Sequence, residues 1–465
     1  MAGAGDEEDR LVGRAHVGPD GEQRGQVVRS PSRALVLRIA GASLAACAGA
    51  AAVACCWTLR RGGPLRLRTL EPPEAKYGLP MPGKASQYDG TEDTRDFYIN
   101  TKDDIVHMFV IGDWGALLPS HQTASCKHGW DCTAQFQVAN AMRGRARWAY
   151  PQYVINVGDN FYYAGLPDSC NTPPSAAWGG ARASFGANWL YMYGELTNVP
   201  WISCLGNHDY GGWQMDQGWP QQIGYSFVHS KWIMPARYYN RKVQHKNFVM
   251  EYFVIDSNVF DAKDPHISDH NICSLQHNPA GAQCTGNDGM PNVWSCPGWF
   301  WGSYKWQQRW MEQKVRDSTS DWKVAVTHFP CGYDGSWYKG LHEKFGLDLM
   351  ITGHRHQQEL WWKGSTSRYI QKFVHTSDMG DLPCFVSGGG GGISSEWMGD
   401  ADYGRDLQLY GFFDLTVSKD WMNIDLIATD NTIKGNITIH PSHRRTIPAP
   451  EEKPAKASAE SAAVA

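Results

Sequence analysis

Three features are rare in this sequence of 465 residues, and each scarcity narrows the classes of protein to which it can belong. None of the 12 cysteines forms a Cys-x-x-Cys pair, so a zinc ribbon or a dithiol redox site is not expected. Excess basic charge is absent, since 43 lysines and arginines oppose 47 aspartates and glutamates, and nucleic acid is therefore not expected as the main partner. Long uncharged runs are limited to one, near the N terminus.

Aromatic residues are abundant, at 12% of the chain, and 21 of them are tryptophan. Together with a hydrophobic fraction of 42%, they exclude a wholly disordered or fibrous chain and predict an aromatic-rich core or surface cleft. The 49 glycines and 25 prolines predict many turns.

The one long uncharged run covers residues 39–59. As a helix it would be about 32 Å long, which is enough to cross a bilayer. We expect an uncleaved transmembrane signal-anchor, because the polar segment before it is long for a signal peptide. A cleaved signal peptide is the main alternative, given the small residues near Ala54, and a soluble amphipathic helix is a third. Arginines flank the run on both sides, so charge does not fix its orientation.

Composition divides the remaining chain into four parts. Residues 1–38 precede the run and are predicted to be disordered, while 60–101 read as a linker. Residues 102–447 show no repeat and no composition break, so we expect one catalytic domain there. Residues 448–465 have low complexity and are predicted to form a disordered tail.

Nine cysteines lie outside the uncharged run and could form up to four disulfides, with one cysteine left over. Cys126, Cys132, Cys273, Cys284 and Cys296 lie in polar, loop-like stretches where bridges are expected. The alternative is a set of buried thiols, and the pairing cannot be read from the sequence. Cysteines in such loop-rich sequence favour an oxidising compartment.

Five short apolar runs are each followed by a turn and by side chains that can bind metal. The runs and the motifs after them are 108–111 before Gly-Asp113-Trp-Gly, 153–157 before Gly-Asp159-Asn-Phe-Tyr162, 201–205 before Gly-Asn207-His208-Asp209, 323–326 before Thr-His328-Phe-Pro, and 347–351 before Thr-Gly-His354-Arg-His356. Each run has the length and β-rich content of a strand. Helix-like stretches such as 134–143 and 305–316 lie between them, which predicts an α/β architecture. Because ligands bind beyond the carboxyl ends of strands in such folds, we expect a metal cluster at one edge.

The chemistry of these side chains predicts two metal ions. Oxygen and imidazole donors without thiolate suit Fe(III), Fe(II), Mn(II) or Zn(II). Seven donors are too many for one tetrahedral zinc, but they fit two ions that share a bridging carboxylate. Such a pair can clamp the attacking and leaving oxygens of a phosphoryl transfer.

The ordered motifs GDWG, GDNFYY, PWISCLGNHDYGG, THFP and GHRHQ resemble those of the metallophosphoesterases. Tyr162, three residues after the second aspartate, is similar to the tyrosine in the corresponding motif of the purple acid phosphatases. Taken together, the five motifs look most like those of the small tartrate-resistant type. The resemblance covers about residues 108–439. It implies a metallophosphoesterase-like β-sandwich of two mixed sheets flanked by helices, in four α/β/β/α layers.

The same resemblance implies a role for each donor. A ferric ion would be held by Asp113, Tyr162 and His356, with Asp159 bridging to a second ion. That second ion, a divalent Fe, Zn or Mn, would be held by Asn207, His328 and His354. A metal-activated hydroxide would then attack phosphorus in line, and His208 would bind phosphate or protonate the leaving alcohol.

Two departures from the family pattern stand out. Relatives usually carry a further histidine about nine residues after the one at position 328, where this chain has Trp337. His342 is the nearest histidine, so leaving-group protonation would fall to His208 alone or to Asp334. The second departure is an insertion at about 261–300, which we read as a stapled surface loop or, alternatively, as a cover over the cleft.

Several other features have a structural and a functional interpretation. Histidines outside the motifs, including His107, His245, His266 and His270, are read as surface or satisfied core residues. The stretch Trp294, Trp299, Trp301, Trp306 and Trp310 is read as helix and loop core, or else as a carbohydrate or substrate platform. The glycine run 388–392 is read as a tight turn beside the metals, or as a phosphate cradle. Asn436 begins a glycosylation sequon.

These observations lead to one main hypothesis and two alternatives. We expect a membrane-anchored purple acid phosphatase that hydrolyses phosphate monoesters in a lumen or outside the cell. A phosphodiesterase or nucleotide pyrophosphatase on the same site is the first alternative. A non-catalytic surface binding protein is the second, and the presence of competent donors at all seven ligand positions argues against it.

Overall fold

The computed structural model describes residues 79–94, 102–115, 131–178, 181–212, 214–279, 281–361, 379–392 and 410–442. The strands within these residues are β1 (Thr91–Asp93), β2 (Val106–Ile111), β3 (Val154–Asn156), β4 (Trp201–Ser203), β5 (Trp232–Ile233), β6 (Tyr239–Gln244), β7 (Val249–Val254), β8 (Trp322–Val326), β9 (Leu349–Thr352), β10 (Gln358–Trp361), β11 (Cys384–Ser387), β12 (Gly411–Val417), β13 (Met422–Ala428) and β14 (Ile433–Ile439). The α-helices are α1 (Asp131–Ala149), α2 (Ala181–Phe185), α3 (Trp219–Tyr225), α4 (Cys296–Asp317) and α5 (Gly335–Phe345).

The strands form two mixed sheets of seven strands each. One sheet has the order β1-β6-β7-β8-β9-β11-β10, and β7, β8, β9 and β11 within it run parallel. The other has the order β14-β13-β12-β2-β3-β4-β5, in which β2 to β5 are parallel and β12 to β14 are antiparallel. This architecture, with helices alongside both sheets, confirms the predicted metallophosphoesterase-like α/β fold.

All five predicted strands and both predicted helices are present. The apolar runs correspond to β2, β3, β4, β8 and β9, and the helix-like stretches lie inside α1 and α4. These strands are almost wholly buried, as expected for parallel strands covered on both faces, and this burial explains why they read as continuous apolar runs.

Tryptophans pack beneath the strand ends that carry the motifs. The Trp114 ring makes edge contacts with Tyr193, Trp201 and Trp232 at centroid distances of 5.5, 6.0 and 6.4 Å. Its Nε1 donates a hydrogen bond of 2.8 Å to Asn156 Oδ1, so the indole is paired although fully buried. The aromatic-rich core predicted from composition therefore supports the first two motifs.

Within the part of the chain that the structure describes, three disulfides confirm the prediction of bridges. They join Cys170 to Cys284, Cys273 to Cys296, and Cys331 to Cys384. Cys204 is a buried thiol. Two of the bridges fasten the insertion, one to the 170 loop and one to the start of α4, which confirms that it is stapled.

Cys126 lies outside the described residues, as do the side chain of Cys132 and the predicted anchor 39–59. Among the residues described, no helix is long and apolar enough to cross a membrane.

Candidate metal centre

The ends of five strands bring the predicted ligands to one place. Neighbouring parallel strands β2, β3 and β4 of one sheet lead to the Asp113, Asp159 and Asn207 motifs. Neighbouring parallel strands β8 and β9 of the other sheet lead to the histidine motifs. Because carboxyl ends of adjacent parallel strands meet at one edge, the two sheets place side chains from both halves of the chain against each other.

The first group of side chains surrounds the hydroxyl of Tyr162. This hydroxyl lies 2.8 Å from Asp159 Oδ2, 3.2 Å from Asp113 Oδ1 and 2.9 Å from His356 Nε2. The carboxylates of Asp113 and Asp159 and the ring of His356 converge closely enough to hold a single metal ion, and all three are buried. A phenol, two carboxylates and an imidazole therefore form one compact donor set.

The second group surrounds the side-chain oxygen of Asn207. Asn207 Oδ1 lies 3.0 Å from His328 Nε2 and 3.2 Å from His354 Nδ1. His328 Nε2 also lies 3.4 Å from Asp159 Oδ2. The Asp159 carboxylate consequently contacts both groups, which is the position that a bridging ligand requires.

Hydrogen bonds behind the second group fix which atoms face inward. His328 Nδ1 is 2.8 Å from the carbonyl of Val157, so Nδ1 carries the proton and Nε2 faces the centre. Asn207 Nδ2 donates a 3.1 Å hydrogen bond to Asp261 Oδ2, which turns Oδ1 toward the histidines. If the imidazole of His328 is neutral, its Nε2 lone pair faces Asn207 Oδ1 at 3.0 Å and Asp159 Oδ2 at 3.4 Å. These atoms are all electron-rich, so the arrangement needs a proton or a metal cation between them.

The electrostatics of the centre show the same need for positive charge. Burial raises the pKa of Asp113 well above its usual range, because the ionised carboxylate is removed from water. Burial alone would lower the pKa of His328, but the carboxylates of Asp159 and Asp113 raise it to about 10. Metal cations would compensate the same carboxylates without a proton, so the residues present fit a metal centre.

Three of the predicted ligands adopt backbone conformations that are unusual for residues with a β-carbon. Asp113, Asp159 and His354 have φ angles of 55°, 52° and 71°. Such left-handed conformations cost on the order of 1–3 kcal/mol each and persist where the surroundings determine them. Here the Asp113 amide donates to Gly158 O at 2.9 Å, and the His354 amide donates to Asp113 Oδ2 at 3.0 Å. The strained turns thus aim side chains into the centre.

The glycine run forms a tight turn against the first group. The Gly392 amide donates to the carbonyl of Asp113 at 2.6 Å. A β-carbon at position 392 would lie 2.9 Å from the ring of Tyr162, so a larger residue would displace this predicted ligand. The interpretation of the run as a turn where side chains do not fit is therefore confirmed.

His208 lies over the first group without joining it. Its backbone amide donates to Asp159 Oδ1 at 2.9 Å, and its ring lies 4.5 Å from that of Tyr162. The ring Nδ1 is 2.6 Å from the carbonyl of Tyr163, so Nδ1 carries a proton and Nε2 is the nitrogen that can address a substrate.

Sequence reasoning missed two buried aspartates that position the ligands. Asp209 accepts hydrogen bonds from the amides of Gly206 and Asn160 and from Gln222 Nε2, which ties the second motif to the third. Asp261 holds the amide of Asn207, as described above. Asp209 could have been recognised from its place in the third motif, whereas Asp261 belongs to the insertion and carries no sequence signal.

The positions considered in place of the missing histidine lie in α5 and at its start. Trp337 packs against Tyr304 and Tyr338 at centroid distances of 6.2 and 4.7 Å. Asp334 accepts hydrogen bonds from Tyr304 and Gln308 of α4. His342 Nδ1 donates to the carbonyl of Leu347 at the end of α5. All three residues therefore pair with core or helix partners.

The start of the insertion reaches the centre through Asp261, whose carboxylate accepts from the Asn207 amide. The Ile272 amide donates to the Asp261 carbonyl at 2.9 Å, which closes the loop that carries His270. Burial raises the pKa of Asp261 to about 7, while the charges of Lys263 and His270 lower it. Burial also lowers the pKa of His354, and the neighbouring charge of His328 lowers it further. The insertion therefore contributes to the surroundings of the centre as well as being stapled.

The tryptophan-rich stretch separates into packed and exposed members. Trp299 and Trp310 are half-buried, and Trp310 donates to the carbonyl of Gly90 at 2.9 Å. Trp294, Trp301 and Trp306 are 63%, 45% and 65% exposed. The interpretation as helix and loop core holds for Trp299 and Trp310. It is wrong for the three exposed tryptophans.

Known proteins resemble this chain across the same region. Residues 106–358, more than half of the chain, match the family model of the calcineurin-like phosphoesterases. Over 157 residues, or 33% of the chain, it is 25% identical to tartrate-resistant acid phosphatase type 5 of Sus scrofa, and this match spans 39% of that relative. The chain therefore aligns with well under half of the length of that curated relative.

Two solved structures are similar to this chain at low sequence identity. GAP50, the anchor in the inner membrane complex of Plasmodium, is 14% identical with a TM-score of 0.44, over 73% of this chain and 90% of that chain. A purple acid phosphatase from seeds of yellow lupin (Lupinus luteus) is 13% identical with a TM-score of 0.37, over 73% of this chain and 54% of that chain.

Proposed function

The chain belongs to the calcineurin-like phosphoesterase family, and we propose that it is a purple acid phosphatase that hydrolyses phosphate monoesters at two metal ions. The observation that supports this most strongly is the convergence of seven donors in two groups that share the Asp159 carboxylate. A single structural ion would not need two groups or a shared ligand.

Each group is assigned to one ion. Asp113, Tyr162 and His356 would hold Fe(III), for which a phenolate is a strong anionic donor, with Asp159 shared between the ions. Asn207, His328 and His354 would hold a divalent Fe, Zn or Mn. When bound, the pair would supply Lewis-acid activation of water and neutralise charge on the phosphate oxygens.

The residues of the chain itself position the substrate and move a proton. Val157 and Asp261 hold His328 and Asn207 with their donor atoms turned inward, so the second group is organised before substrate arrives. His208, held by the Tyr163 carbonyl, presents Nε2 to bind a phosphate oxygen or to protonate the leaving alcohol.

Steady-state kinetics test this function and separate it from the alternatives. We expect a much higher kcat/KM for a phosphate monoester than for the matching diester, and loss of this activity in Asp159→Ala. The matched control is Asp317→Ala, an exposed aspartate on α4, which should behave as the wild type. A preference for the diester would identify a phosphodiesterase. A wild-type protein that binds two metals but hydrolyses neither ester would identify a non-catalytic binding protein.

We place the catalytic domain, residues 102–447, in a lumen or outside the cell, with residues 39–59 as the proposed membrane anchor. The three disulfides support an oxidising compartment. Asn436, the sequon residue, is exposed on β14 and is therefore accessible to glycosylation.

A further inference from the structure

Phe329 covers one face of the imidazole of His354, a proposed ligand in the second group of donors. The two rings lie at a centroid distance of 4.3 Å and an interplanar angle of 26°, so they are close to parallel. Phe329 is buried and directly follows His328 in the chain. One proposed ligand is therefore followed at once by the ring that packs on another.

The two histidines of the second group are held in different ways. His328 Nδ1 donates to the carbonyl of Val157, which fixes its tautomer and its ring orientation. His354 turns Nδ1 toward Asn207 Oδ1 at 3.2 Å, but none of the described residues forms a hydrogen bond with its Nε2. The His328 ring contacts that of His354 at 5.2 Å with the planes nearly perpendicular, which leaves Phe329 as the ring that lies parallel to it. A histidine binds metal through a lone pair in its ring plane, and Phe329 supplies the packing that sets this plane.

Phe329 is itself fixed from several directions. Its backbone amide donates to Ser257 Oγ at 2.9 Å. Its ring contacts those of Phe260 and Tyr333 at centroid distances of 5.7 and 5.3 Å. Because aromatic contacts surround it and its backbone is paired, the ring can act as a rigid support for the imidazole.

The disulfide between Cys331 and Cys384 fastens the same segment. Cys331 lies two residues after Phe329, and Cys384 is the first residue of β11. Cys331 Sγ also lies 3.8 Å from Thr352 Oγ1, at the end of β9 and two residues before His354. The bridge therefore holds the segment that carries Phe329 against the strand that leads to the supported histidine.

We propose that Phe329 is a positioning residue for the second metal ion, and that its ring, held by the Cys331–Cys384 bridge, fixes the imidazole plane of His354. This inference rests on the proposed two-metal function. A ligand that is already immobilised loses less conformational freedom when it binds, so the support raises the affinity of the second group for its ion. The described ring contacts of Phe329 include no donor of the first group, which should bind its ion independently of this support.

Zn(II) titration of protein that carries iron in the first group measures this effect. Phe329→Leu removes the ring, and we expect the Kd for Zn(II) to rise about three- to tenfold, the range expected for immobilising one side chain. Phe329→Met fills the space with a flexible chain and should show the same rise. Phe329→Tyr keeps the ring and should retain most of the wild-type affinity. The visible band of the iron should persist in all three variants.

Phe412→Leu is the matched control for a general loss of stability. Phe412 is also buried, and its ring packs on Phe109 of β2 at 5.0 Å rather than on a donor. This substitution should lower the melting temperature but leave the Kd for Zn(II) unchanged. An unchanged Kd in both Phe329→Leu and Phe329→Met, or an equal rise in Phe412→Leu, would overturn the proposal.

A double-mutant cycle tests the part assigned to the bridge. Replacing Cys331 and Cys384 together by alanine should raise the Kd for Zn(II) in the wild-type background, but it should add little to Phe329→Leu, because both changes release the same imidazole. Equal rises in the two backgrounds would show that the bridge does not act through Phe329 and would overturn that part of the proposal.

The metal titrations do not depend on catalysis, so the two proposals can fail separately. If the wild type hydrolyses neither ester but Phe329→Leu weakens Zn(II) binding, the positioning role stands and the phosphatase function is rejected. If the wild type hydrolyses phosphate monoesters and Phe329→Leu binds Zn(II) as tightly as the wild type does, the phosphatase function stands and the positioning role is rejected.

Discussion

At the scale of single residues, the roles of the donors depend on atoms that lie behind them. The Val157 carbonyl determines which nitrogen of His328 faces the centre, and the Asp261 carboxylate determines which end of the Asn207 amide does so. Tyr162 is the most distinctive donor, because its hydroxyl lies within 3.2 Å of two carboxylates and a histidine. A phenol placed in this way is suited to ionise on a trivalent metal.

The first prediction concerns colour. The proposed Tyr162 phenolate on Fe(III) should give a visible charge-transfer band, so the purified protein should be purple or pink. Tyr162→Phe should lose this band while circular dichroism remains unchanged, because only one hydroxyl is removed. Tyr163→Phe is the matched control and should keep the band. A colourless and fully active wild type would contradict the assignment of Tyr162.

The second prediction separates the ligands from the proton donor. His208→Ala should retain both metals but lower kcat by about 10²–10⁴-fold for esters of poor leaving alcohols. The decrease should be smaller for esters of acidic phenols, which leave without protonation. Metal content and a series of leaving groups provide the measurements, and loss of metal in His208→Ala would show that the residue had been misassigned.

At the scale of elements, the sequence predicted the five strands that carry the motifs, because parallel strands buried on both faces read as apolar runs that end at polar motifs. The turns after β2, β3 and β9 could not be derived in this way, since each places a predicted ligand with a β-carbon in a left-handed conformation. The role of Asp261 was also hidden. Its approach to the centre depends on how the insertion folds back, with Ile272 paired to Asp261, and no local pattern encodes that contact.

The third prediction tests the role of the turn Asn258–Asp261. Asp261→Ala should leave the Asn207 amide without its acceptor, so Oδ1 would no longer be held toward the histidines. We expect the affinity for the second metal, measured by Zn(II) titration, to fall by about 10–100-fold. Asp261→Asn, which keeps an acceptor oxygen, should recover most of this loss.

The first group of donors should be unaffected by these substitutions, because Asp261 contacts Asn207 and not Tyr162. The charge-transfer band should therefore persist in Asp261→Ala. Unchanged Zn(II) affinity, or loss of the band together with the second metal, would show that Asp261 does not act on the second group alone.

At the scale of the whole molecule, each sheet supplies part of the centre. Strands β2 to β4 belong to one sheet and β8 and β9 to the other, so the seven donors come together only when both sheets have formed. The disulfides add cross-links outside the centre, and two of them fasten the insertion. The proposed compartment follows from these bridges.

The fourth prediction concerns topology. If residues 39–59 anchor the chain with the catalytic domain in the lumen, protease added to sealed vesicles with an outward cytosolic face should spare residues 102–447. Digestion of that region should occur only after detergent is added. A cytosolic protein digested in the same sample controls for protease activity, and digestion of residues 102–447 in intact vesicles would contradict the proposed orientation.

The central claim, two metal ions bridged by Asp159, is tested most directly by elemental analysis of the purified wild type, Asp159→Ala and Asp317→Ala. The account predicts two metal ions per chain in the wild type and in Asp317→Ala, at least one of them iron, because the exposed Asp317 contacts neither donor group. Asp159→Ala should lose the metals, since its carboxylate contacts both groups. One metal ion or none in the wild type, or two ions retained in Asp159→Ala, would contradict the claim.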